Sequence, residues 1–172
     1  MKKQIEKLEE DIVEVRREDK TIRDFQIICQ EDSGGDILVL DSVTIAKNHK
    51  FIDKKVSVRL TKKERLLLVG PNGIGKTTLL EKLASGHAKG EHVKPGTVIC
   101  YYRQDFSNLD FNATVYQILQ KAMGERGTEQ TMRAHAAGFL IDNELLKSKV
   151  GSLSEGQKGL VAFAAISLQR PG

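Results

Sequence analysis

The 172 residues contain no tryptophan, only two cysteines and three prolines, and an aromatic fraction of 5%. Each scarcity excludes something. Cys29 and Cys100 are too few for a disulfide framework or a zinc site of their own, and read as two buried thiols of a reducing compartment. So few aromatic rings poorly supply a stacking surface for single-stranded nucleic acid. No apolar run approaches the roughly 20 residues of a membrane helix. The opening MKKQIEKLEED is charged throughout and does not read as a secretory signal. No internal repeat is visible. With 40% hydrophobic and 29% charged residues, the chain reads as a globular, cytoplasmic domain without membrane insertion.

Net charge is +4, and the surplus is local. Between Lys47 and Arg65 stand eight lysines and arginines against Asp53 and Glu64. Such a run suits a phosphate-rich partner such as RNA. The preferred reading of such a run is the solvated outer face of a strand pair.

Met1, Ile5, Leu8, Ile12 and Val15 recur at spacings of four and three, the seam of a coiled coil, so 1–20 is expected to be a helix. A helix this short is marginal alone and is expected to belong to a longer hairpin. Residues 21–36 form a connector that breaks at Gly34-Gly35. Strands are expected at 37–46, 55–60, 66–69 and 97–102, the third as a buried strand of a parallel sheet. Helices are expected at 76–84, 114–122, 129–140, 143–146 and 155–168. This order implies an α/β fold with an inserted helical part.

The sharpest motif is Gly70-Pro71-Asn72-Gly73-Ile74-Gly75-Lys76-Thr77, which fits G-x-x-x-x-G-K-[ST] at every fixed position. Glycines at 70, 73 and 75 permit turns that side chains would block. The exposed N–H groups of Gly70, Asn72, Gly73 and Gly75 and of the helix start at Lys76, Thr77 and Thr78 form a nest for phosphate oxygens. Lys76 would reach the β- and γ-phosphates and the Thr77 hydroxyl would ligate Mg²⁺. ATP and Mg are therefore the expected cofactors.

Leu153-Ser154-Glu155-Gly156-Gln157 resembles the LSGGQ signature of ATP-binding-cassette (ABC) ATPases, and it opens the last expected helix. Ser152 and Glu155 also have the spacing of an ordinary capping box. Gln104, 34 residues after Gly70 and 50 before Ser154, resembles the Q-loop of that family. The resemblance implies an ABC-type P-loop core, a mixed sheet with a small helical subdomain at about 106–153. It places Gln104 at Mg²⁺ and the attacking water. It places Ser154, Gly156 and Gln157 at the nucleotide of a second cassette, in cis or in a dimer. Hydrolysis would then be coupled to closure of that sandwich.

The charged segment 1–20, the entry over 17–45 and Gln157-Lys158-Gly159 after the signature extend the likeness to the second cassette of ABC-F proteins, which act on ribosomes. That implies a partial cassette over 37–172, preceded by the end of an inter-domain linker, with ribosome, rRNA or tRNA as partner. Glu155 stands where the family has glycine, and Leu160 where it has arginine. The adenine-stacking aromatic falls near Ala46 and Lys47, which are not aromatic, leaving His49 or Phe51 as substitutes. The family's strand ending in Asp-Glu and its switch histidine would follow Gly172. Catalytic residues are thus none in this chain, which is expected to bind ATP without hydrolysing it alone. Other readings are the nucleotide-binding domain of a membrane transporter, a chromosome-maintenance ATPase, and a non-catalytic module with a vestigial site.

Overall fold

A computed structural model describes residues 21–30, 34–47 and 50–172. The expected helix over 1–20, connector residues 31–33 and His49 lie outside the described residues.

The strands β1 (Asp36–Lys47) and β2 (Lys50–Thr61) form an antiparallel hairpin, and β3 (Glu91–Val93) pairs antiparallel on the other side of β1, giving the order β2-β1-β3. β-Branched residues recur along β1, as a central strand favours. β3 is only three residues long and two of them are polar, so composition carries no strand signal there. The ladder with Leu38, Val39 and Leu40 makes them a strand. Gly90 introduces it with φ 72°, and a Cβ there would collide with the Ser42 hydroxyl.

Helix α1 (Lys76–Ser85) packs against β1. The remaining helices are α2 (Val115–Met123), α3 (Glu129–Gly138), α4 (Asn143–Lys147) and α5 (Glu155–Gln169), with a 3-10 turn at Val150–Ser152. All five helices stand within two residues of their expected bounds. Local chemistry explains this. Thr114, Thr128, Asp142 and Ser154 cap the four helices α2 to α5 by accepting a backbone N–H from the third helical residue.

The buried core lies in this helical part. Val115, Leu119, Met132, Phe139, Ile141, Leu146, Val150 and Val161 pack together between α2, α3, α4 and α5. In the sheet, Leu40 is the one residue among those described that is fully buried. The substantial packings fall into two sets, β1 with β2, β3 and α1, and α2 to α5 with one another.

Two expected strands are not strands. Residues 66–69 run irregularly, with Leu67 and Val69 about four-fifths exposed. An apolar run becomes a strand only when a neighbour takes its N–H and C=O groups, and no described strand lies beside it. Residues 97–102 are irregular for the same reason. Their backbone bonds go elsewhere: Val98 N–H to the Gln30 side chain, Val98 C=O to Gly172 N–H, and Tyr101 C=O to Asn108 Nδ2. The described sheet is accordingly antiparallel throughout, with no parallel pair.

The basic run does not make one patch. Lys54 lies opposite Val43 and Lys55 opposite Ser42, so these neighbours point to opposite faces. Arg59 pairs with Asp36 at 2.9 Å, and Lys62 donates to the Gln30 carbonyl at 2.6 Å.

Candidate functional site

Residues 70–75 form a turn that leads into α1. Gly73 has φ 80° and Gly75 φ 106°, conformations that favour glycine. Gly75 is the N-cap, and no side chain caps the helix. No acidic residue stands in its first turn. The N–H groups of Lys76, Thr77 and Thr78 therefore keep the positive end of the helix open to an anion. The loop is braced from behind, where Ala46 N–H donates to Ile74 C=O at 2.9 Å.

Lys76 is half-buried, and its Nζ donates to Gly70 C=O at 2.7 Å and to Pro71 C=O at 2.9 Å. The ammonium is thus held inside the loop, beside the N–H nest. Thr77 and Thr78 are exposed at the first turn. An uncapped helix start, two left-handed glycines and a cation at the loop centre fit a triphosphate. Among the described residues no cluster of three His, Cys, Asp or Glu could hold a metal unaided.

Phe51 lies opposite Ala46 in the hairpin and is 77% exposed. With Thr44, Ala46, Gly75 and Thr78 it lines a small cleft beside the loop. Asp53, two residues on, accepts from the Thr44 hydroxyl at 2.7 Å and pairs with Lys89. Lys89, and then Thr44, hold its carboxyl below the ordinary aspartate value.

Gln104 is exposed in a turn after 97–102. Its neighbours fix that turn. Arg103 pairs with Glu81 of α1 at 2.8 Å and reaches Asp105 at 3.2 Å. Asp105 also accepts from the Ser107 amide at 3.1 Å and hydroxyl at 2.9 Å. The Ser107 amide, then its hydroxyl and Arg103, hold the Asp105 carboxyl below its usual range. The bond to Asp105 conversely raises the Arg103 guanidinium above its own. Sequence reasoning missed Arg103, Asp105 and Glu81. The charged flanks in Arg-Gln-Asp were the available signal.

Ser154, Gly156 and Gln157 stand at the start of α5. Ser154 Oγ accepts from Gln157 N–H at 3.2 Å, and Gln157 Oε1 accepts from Ser154 N–H at 3.0 Å. The capping box is therefore Ser154 with Gln157. The Ser152–Glu155 alternative is not realised, because Ser152 lies in the 3-10 turn and donates to Lys149 C=O at 2.8 Å. Glu155 and Gly156 are exposed in the first turn. The structure brings the residues from Gly70 to Thr78 together in the loop and the first turn of α1, and ties the turn of Gln104 to α1 through the Arg103–Glu81 pair. Residues 154–157 stand apart, on a helix packed against α2 and α3.

A glycine-built phosphate loop opening a helix against a β-strand, followed by a separate helical part, defines an α/β P-loop nucleotide-binding domain. The family model described as ABC transporter matches residues 54–172, and the chain belongs to that family as an ABC ATPase domain. It is 32% identical over 174 residues to Protein GCN20 of Saccharomyces cerevisiae, covering 98% of this chain and 23% of that protein. It is 34% identical over 140 residues to ATP-binding cassette sub-family F member 3 of Rattus norvegicus, covering 78% and 20%. Elongation factor 3B of Saccharomyces cerevisiae is 28% identical over 140 residues, covering 81% and 13%. The chain thus resembles sub-family F cassettes and spans 13–23% of the length of these three relatives. No helix among the described residues is long and apolar enough to cross a membrane.

Proposed function

We propose that this chain is an ATP·Mg²⁺-binding cassette of an ABC-F-type ATPase that acts on the ribosome. The observation that carries the nucleotide reading is the uncapped start of α1 with Lys76 held inside the loop. In this reading Gly70, Asn72, Gly73, Gly75 and Lys76 hold the phosphates. Thr77 and Gln104 ligate Mg²⁺, which neutralises phosphate charge when bound. Thr78 adds a first-turn N–H, and Phe51 stacks on the base. Ser154, Gly156 and Gln157 serve the nucleotide of a second cassette, and Glu155 opposes that contact by like charge. Residues 1–20 and 21–36 are the linker end and connector, 37–172 the partial cassette, with its helical subdomain at about 106–153.

The ribosomal part rests on likeness to sub-family F proteins and on a relative named elongation factor. The location that goes with it is cytoplasmic. Tested by itself, this stretch is expected to bind ATP through the loop that Lys76 closes. Calorimetry with ATP and Mg²⁺ tests the first part. Binding weakened roughly ten- to a hundredfold in Lys76→Ala supports it, and no binding by the unaltered chain refutes it. Co-sedimentation of the longer protein with ribosomes tests the second. Co-purification with a membrane subunit in place of ribosomes would favour a transporter domain.

A further inference from the structure

Residues 21–30 run extended from the helical part to the sheet-bearing part, touching both. On the helical side, Arg23 N–H donates to Gly138 C=O at 3.1 Å. The Phe25 ring lies 4.7 Å from Phe139, just beyond α3, and 6.5 Å from Phe163 of α5, between centroids. At the other end, Gln30 joins three segments. Its N–H donates to Pro171 C=O at 3.0 Å, just beyond α5. Its side-chain amide donates to Gly96 C=O and accepts from Val98 N–H, both at 3.0 Å. Its carbonyl accepts from Lys62 Nζ, just beyond β2. A side chain that both donates to and accepts from one backbone stretch is a bidentate clamp, like a single rung of a ladder.

We propose that Phe25 and Gln30 are positioning residues, through which the segment 21–30 sets where the first turn of α5 stands relative to the phosphate loop. Helix α5 is one rigid element of 15 residues. Ser154 lies nine residues before Phe163, about 13 Å along the axis. Fixing α5 at Phe163 and at Pro171 therefore fixes the swing of Ser154. Because the two packing sets share no substantial element contact, irregular segments such as this one carry their relative placement. The importance of that placement for a second cassette's nucleotide rests on the functional reading above. The placement itself does not.

The test is a spin-label distance measurement on the full chain, with S57C on β2 and E144C on α4 in a C29S/C100S background. One narrow distance is expected for the otherwise unaltered chain. Phe25→Ala and Gln30→Ala should each broaden and shift it, and Phe25→Tyr should restore it. A destabilisation without loss of placement would lower the melting temperature and leave the distance narrow, which would overturn the proposal. Should both alanine variants unfold, Gln30→Glu decides. It keeps the acceptor for Val98 and loses the donor to Gly96, so an unchanged distance would overturn the proposal and a broadened one would support it. Binding of a fluorescent ATP analogue, read in the same samples, separates the two readings. Its absence refutes nucleotide binding, whereas the distance alone judges Phe25 and Gln30.

Discussion

Arg103 donates to Glu81 across 2.8 Å, and this ion pair joins the turn holding Gln104 to the helix that Lys76 opens. Both partners are about one-third exposed. A double-mutant cycle with Arg103→Ala and Glu81→Ala should give a small, favourable coupling that shrinks as salt is raised. If Gln104 serves a bound metal, the same variants should weaken ATP·Mg²⁺ more than ATP alone. Equal weakening of both would place the pair outside the metal site.

Ser154 is expected to matter twice. Ser154→Ala removes the cap of α5 and should cost about 1 kcal/mol in denaturant unfolding. Ser154→Asp keeps a capping oxygen and should retain most of that stability. The added charge should nevertheless weaken ATP-dependent pairing of two cassettes. Restored stability with unimpaired pairing would reduce Ser154 to a cap.

His135 makes stability depend on pH. Its Nε2 is buried with no hydrogen-bond partner among the described residues, and burial pushes the imidazole below the ordinary histidine value, opposed by the Ala164 backbone. The unfolded chain then binds the extra proton more readily than the folded one, so stability rises with pH in this range. It should be fully present above the unfolded value of about 6.5 and fall as pH drops through and below it. Melting curves between pH 5 and 8 would show this slope, and His135→Gln should flatten it.

Gly90→Ala should destabilise the chain by about 1–3 kcal/mol, since it adds a Cβ at φ 72° against Ser42. Chemical denaturation measures the loss. Gly34→Ala, which meets no atom within 4 Å, should change little.

The helices and the phosphate loop were legible because their signals are local. Thr114, Thr128 and Ser154 announce helix starts, and the glycines of the loop announce its turns. What could not be read depended on distant partners. Residues 66–69 have the composition of a buried strand, yet pairing decides a strand, and composition does not reveal which chain lies alongside. The converse holds for Glu91–Val93, a short and mostly polar stretch drawn into the sheet by β1. The clamp at Gln30 was invisible for the same reason, since it links positions more than 60 residues apart in sequence. At the start of α5 the spacing rule pointed to Ser152 with Glu155, whereas the cap lies two residues on, because Ser154 and Gln157 satisfy the same rule.

The capping box at Ser154 also divides the labour within one hydroxyl. A serine oxygen offers two lone pairs and a single proton. One lone pair is committed inward, to the amide of Gln157. The proton has no acceptor among the described residues, and so it points the group's remaining chemistry outward. In the functional reading proposed above, the helix could therefore keep its cap while Ser154 donated to an anion, without unwinding the first turn.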